Sequence, residues 1–181
     1  MVEIDWPSVA FWTALSTWAL ATGTLLFLYL QTHQAQVLNS ANAVMSLRDK
    51  FDSTRMRSVR RHIAERLLKQ AHGDIASLEV VTFFELVGTL THRKIMDVDL
   101  IWEAFGSWIE AYWWGLSHPV DWVAQLRHDL GDPLIFHEFE WLYGKMVELD
   151  RRALAEIGAT LGDPTEEALR ILRREALLES I

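Results

Sequence analysis

The chain has 181 residues, no cysteine and a formal net charge of −8. Without thiols it has no disulfide framework, thiolate metal centre or cysteine nucleophile, and its acidic balance argues against a general nucleic-acid binder, which needs a basic footprint. Nine tryptophans in this length imply a folded part whose core is rich in large rings.

Val9 to Leu30 reads VAFWTALSTWALATGTLLFLYL and carries no charge. A helix of about 20 such residues spans a ~30 Å hydrocarbon core. The head MVEIDWPS is acidic and lacks the basic start of a secretory signal, so the segment reads as an uncleaved anchor, with a cleaved signal and a buried helix of a soluble protein as the minor alternatives. No base precedes it, whereas Arg48, Lys50, Arg55, Arg57, Arg60 and Arg61 follow. The positive-inside rule then places the N-terminus outside and the body in the cytoplasm. The expected organisation is a tail and transmembrane anchor over 1–32, a helical cytoplasmic domain over 33–160 and an amphipathic C-terminal helix over 161–181. The expected fold class is thus all-α, one transmembrane helix followed by a bundle of about five to seven helices.

Residues 33–50 lack Pro and Gly and continue as a helical stalk, broken at Phe51-Asp52-Ser53, where Asp52 or Ser53 can cap a new helix. That helix, over about 54–71, has an apolar stripe of Met56, Val59, Ile63 and Leu67 and a basic remainder. Arg55, Arg57, Arg60 and Arg61 are candidates for binding an anionic ligand or lipid headgroups; the alternative is a solvated face whose arginines pair with acids of the same domain. Residues 75–90 are apolar nearly all round and read as the buried central helix. Glu85 lies within this run and needs a partner, for which Arg57, Arg60 or Arg61 is the candidate; Glu140 is the second buried ion-pair candidate. A helix capped by Asp97 or Asp99 presents Trp102, Phe105, Ile109, Tyr112 and Trp113 at helical spacing, a core stripe. A short helix follows Pro119. A longer one, from about 134 to 157, buries Ile135, Phe139, Leu142, Met146 and Leu149. Gly162-Asp163-Pro164-Thr165 starts the last helix, which presents Leu169, Leu172 and Ala176, with Leu177 as a further candidate.

Catalytic patterns are absent: there is no His-Glu-x-x-His, no Gly-rich phosphate loop and no Gly-x-Ser-x-Gly. His137 and Glu140 stand three apart on one helix, a weakly specific metal pair without a second copy. No catalytic residue and no cofactor is expected, and an enzyme is the minority reading.

One run of motifs resembles a known family. The anchor and stalk lead to Phe51-Asp52-Ser53, Met56-Arg57 and Arg60-Arg61. Phe83-Phe84-Glu85 with Val87-Gly88, Trp102 with Phe105, Tyr112-Trp113 and Phe139-Glu140 with Leu142 follow. Over about Leu15 to Met146 this resembles the bacterial family of domain of unknown function 4760. The resemblance implies a single-pass protein of the bacterial inner membrane and brings no activity or catalytic residues. The first functional expectation is a membrane-anchored interaction or adaptor module that self-associates or binds a partner protein, with the bilayer as a further partner and no nucleic acid. The alternatives are a sensor or effector for a small anionic ligand, as in stress or phage-defence signalling, and a metal-dependent enzyme around His137 and Glu140.

Overall fold

The computed structural model describes residues 24, 27–28, 31, 38–69, 75–119, 121–160 and 162–178. Its contacts divide the chain into two units, Met1–Asn39 and Ser40–Ile181. Thr24, Phe27, Leu28 and Gln31 in the first unit are helical.

The expected membrane anchor requires correction. Among the described residues no helix is long and apolar enough to cross a membrane. A span needs about 20 predominantly apolar residues. The 20-residue helices of the second unit are interrupted by charge, one by Asp99, Glu103 and Glu110 and the other by charges along its whole length. Of Val9–Leu30 itself, Thr24, Phe27 and Leu28 are described and the remainder lies outside the described residues. The transmembrane helix, the single-pass topology with the N-terminus outside, the bilayer as partner and the inner-membrane location are therefore withdrawn. The membrane-anchored adaptor and the functional alternatives tied to it fall with them. What the structure holds is an all-α bundle of about seven helices.

In the second unit residues 40–51 are helical (α1). Then come α2 (Thr54–Leu68), α3 (Ile75–His92), α4 (Val98–Ser117), α5 (Trp122–Leu130), α6 (His137–Glu156) and α7 (Pro164–Ala176). Most starts are fixed locally. Ser53 accepts the Met56 N–H, Asp97 those of Asp99 and Leu100, Asp121 that of Ala124 and Asp163 that of Thr165, each satisfying a donor that the first turn leaves free. Pro164 occupies the first turn of α7, where its missing N–H costs nothing. Gly131, at φ +66°, closes α5 in the left-handed conformation.

The 134–157 expectation is shortened: residues 133–136 are turns and α6 begins at His137. Phe136, before it, is left-handed (φ 56°) and provides no side-chain cap. Glu85 of α3 supplies it instead, accepting the N–H groups of Glu138 (3.3 Å) and Phe139 (2.7 Å). Gly88, one turn further along α3, lets the α6 backbone close in; a Cβ there would run into the Glu138 carbonyl. Glu85 and Gly88 thus set the α3–α6 junction together.

The centre of the bundle is α4, which packs on α2, α3, α5, α6 and α7. The 75–90 segment expected there packs on α2, α4 and α6 and leaves Thr82 and Leu86 exposed. The aromatic stripe lies in the core: Phe105, Ile109 and Tyr112 are inaccessible and Trp113 is buried. Rings continue the core in both directions, Phe51 on Phe83 (centroids 5.2 Å apart), Phe84 on Phe139 (5.2 Å) and Phe139 on Trp113 (5.1 Å). Separations of this order suit stacked and edge-on ring pairs.

Candidate functional site

The four basic candidates of α2 are parted by the helix. Arg55 is exposed and pairs with Glu79 (3.1 Å), and Arg61 pairs with Glu65 one turn on (3.0 Å). Arg57 is half-buried. Arg60 alone of the four is in the core, its side chain 3% exposed. Its position follows from the α2 stripe, which runs through Met56, Arg60, Ile63, Ala64 and Leu67, not through Val59 as expected.

The partner of Arg60 comes from the far end of the chain. Glu175, in the last turn of α7, places Oε2 2.9 Å from Arg60 Nε, and its side chain is 6% exposed. Two further donors converge on the same carboxylate. Trp108 Nε1–H donates to Oε1 (2.9 Å) and the Tyr112 hydroxyl to Oε2 (3.2 Å). Burial, then the neighbouring Glu175 charge, pushes the Tyr112 hydroxyl well above its ordinary range, so it stays a protonated donor. The Arg60 guanidinium lies over Phe51, 3.9 Å from the ring centroid, with Asp52 3.7 Å from Nη1. Arg60 Nε and Nη1 nevertheless lack an aligned hydrogen-bond acceptor. The pair is held by charge and by the ring face more than by directed bonds. Arg48 covers the open side of Trp108 (5.1 Å) and donates to the Ala104 carbonyl (2.9 Å).

Arg60, Trp108 and Tyr112 thus enclose a carboxylate presented by a helix. Ala168, Ile171, Leu172 and Glu175 form the buried face of α7, not the Leu169 and Ala176 face expected. Gly115 of α4 makes room for that face, since the Leu67 and Leu172 methyls meet over it. Glu175, Trp108 and Tyr112 were not among the residues singled out as a site. The signal that finds them is a charge on an apolar stripe: Arg60 is four residues beyond Met56, and Glu175 is four beyond Ile171.

The remaining candidates lie elsewhere. Glu85 faces the start of α6 and accepts two of its backbone N–H groups, where an arginine of α2 was the expected partner. Glu140 is exposed and pairs with Arg127 of α5 (2.8 Å). His137 is exposed too, and among the described residues no group of three or more His, Asp or Glu is placed to hold a metal ion. On another side of α2, a groove of about 600 Å³ is lined by Met56, Leu78 and Phe83, with Lys50, Arg55 and Glu79 among its charged residues.

Residues 10–146 match the family described as domain of unknown function (DUF4760). No curated protein and no solved structure matches the sequence. The matched stretch contains Phe51, Arg60, Trp108 and Tyr112 and ends before α7 and Glu175. Since the match takes in well over half of the chain, the protein belongs to the DUF4760 family.

Proposed function

We propose that this chain is an all-helical interaction module that works by the helix-in-groove mode. Its receptor is the α2/α4 face around Arg60, and the occupant in this structure is the chain's own α7. The single observation that supports this reading is the convergence of Arg60, Trp108 and Tyr112, all within the family-matched stretch, on one carboxylate contributed from beyond it. A helix with small and apolar residues at the Ala168, Ile171 and Leu172 positions and an acid one turn later fits this surface. The apolar positions bury area and the acid fixes the register, because a buried guanidinium without a counter-charge is costly.

The test keeps the whole protein. A protease site is placed in the 157–163 connector, whose described residues are exposed, the folded chain is cut there, and a labelled peptide of residues 162–178 is added. The peptide should displace the cut α7 and bind with a 1:1 ratio, and the same peptide carrying E175A should bind at least tenfold more weakly. If the cut chain releases nothing short of global unfolding, or if both peptides bind alike, α7 is an ordinary core helix and the reading fails.

A further inference from the structure

We infer that α7 exchanges between two copies of this chain, the α2/α4 groove of one molecule receiving the α7 of another. The inference rests on the receptor reading above and names the partner: a second copy.

Two features of the connection support it. First, α6 and α7 are consecutive but do not pack on each other; among α2 to α6, α7 packs on α2 and α4. The 157–163 connector alone joins α7 covalently to the body, and α6 adds no packing to hold it there. Second, the connector is built as a hinge. Its described residues are all exposed. Its backbone bonds close within the end of α6, from Ile157 and Ala159 to the Leu154 carbonyl and from Gly158 to that of Ala155. Gly158 is left-handed at φ +69°, and Asp163 already belongs to the cap of α7.

A third observation points to a second copy and not to another occupant. Ile157, 76% exposed, stands at the hinge itself. In a reciprocal exchange the two connectors cross between the two bodies, which is where new contact between copies can cover it. Every contact α7 makes within one molecule is reproduced between two. The balance is then set by the effective concentration of the tethered helix, about millimolar for a short flexible linker, against the strain in the connector and the area newly covered.

Charge complementation tests this. R60E opposes two carboxylates in one molecule and E175R opposes two guanidiniums, so each variant alone repels its own α7. Mixed, unfolded together and refolded, the two pair reciprocally, with one native and one reversed ion pair. Light scattering should give a heterodimer for the mixture, monomers for each variant alone and, for R60E/E175R, the monomer–dimer distribution of the native chain. Should a reversed variant not fold, the otherwise native chain decides. Because it has no cysteine, L177C and M45C at exposed positions each take one dye on separate pools. Co-refolding at high protein concentration should then give energy transfer in a fraction of dimer mass. A mixture that stays monomeric, or pools that show no transfer and no dimer, overturns the exchange. The cut-chain peptide experiment reads the receptor separately, so peptide binding without dimer formation removes the second copy alone, whereas failure of peptide binding removes the receptor.

Discussion

The pair Arg60–Glu175 has energetics typical of buried charge. Desolvating two ions offsets most of their mutual attraction, so the intact pair adds little net stability, but removing one partner strands the other. R60A and E175A should each lower the unfolding free energy by about 3–5 kcal/mol in urea titrations. R60M/E175L, which removes both charges and keeps the volume, should lie well above either single variant and close to the native chain. Y112F should cost about 1 kcal/mol, the net value of one hydrogen bond. If R60M/E175L instead falls as low as the sum of the singles, packing and not charge pairing governs the site. The location of these residues could be read in the sequence once their stripes were correctly phased: a charge falling among Met56, Ile63 and Leu67, and another following Ile171 and Leu172, must each find a counter-charge. Which counter-charge could not be read, because 115 positions separate them and no local rule links α2 to α7.

At the level of elements, α6 starts without a capping residue of its own. Ser53, Asp97, Asp121 and Asp163 cap α2, α4, α5 and α7 from adjacent sequence, and turn chemistry in the sequence places them. No such residue precedes His137, and Glu85, distant in the chain, accepts the two free donors. E85A should cost about 1–2 kcal/mol, the range for losing a capping side chain, and should speed hydrogen exchange at the Glu138 and Phe139 amides while leaving the α4 amides protected. E85Q, which keeps an acceptor oxygen, should recover part of both effects. G88A should cost about 1–3 kcal/mol, the usual range for overpacking, because the Glu138 backbone stands where the new methyl group would go. Urea titration and the crossing of α3 and α6 in a variant structure check it. The sequence reading paired Glu85 with an arginine because an isolated carboxylate in an apolar run needs compensation. In the structure two backbone N–H groups at a helix start take the place of that guanidinium.

For the molecule as a whole, Glu110 makes stability depend on pH. Burial, then the Asp150 and Glu167 charges on α6 and α7, push its carboxyl up from 4.5 to about 7, and Oε1 has no hydrogen-bond partner. A carboxyl whose folded pKa is raised binds its proton more tightly in the folded state. Its contribution is complete below pH 4.5 and is lost as pH rises through about 7. The native chain should lose on the order of 1 kcal/mol between pH 5 and 8 from this group, allowing for solvent screening of a partly exposed carboxyl. E110Q should flatten that slope in thermal melts across the window; an unchanged slope in E110Q rules out Glu110 as its source.

The sequence by itself determined that this is an all-α chain, that caps and breaks fall near Ser53, Asp97 and Asp163, that the Trp102–Trp113 stripe belongs to the core and that no thiol chemistry is possible. These properties are local or compositional: periodicity, cap chemistry and residue counts need no knowledge of what packs on what. An apolar run of sufficient length also suggested a membrane anchor, an expectation that the described helices do not support. Tertiary structure alone decided that α4 and not α3 is the centre, that Glu85 starts α6, and that one arginine of a basic helix is a core residue facing the last turn of α7. Each of these depends on residues far apart in the chain meeting in space, and a helical period specifies which side of a helix is buried but not which helix covers it.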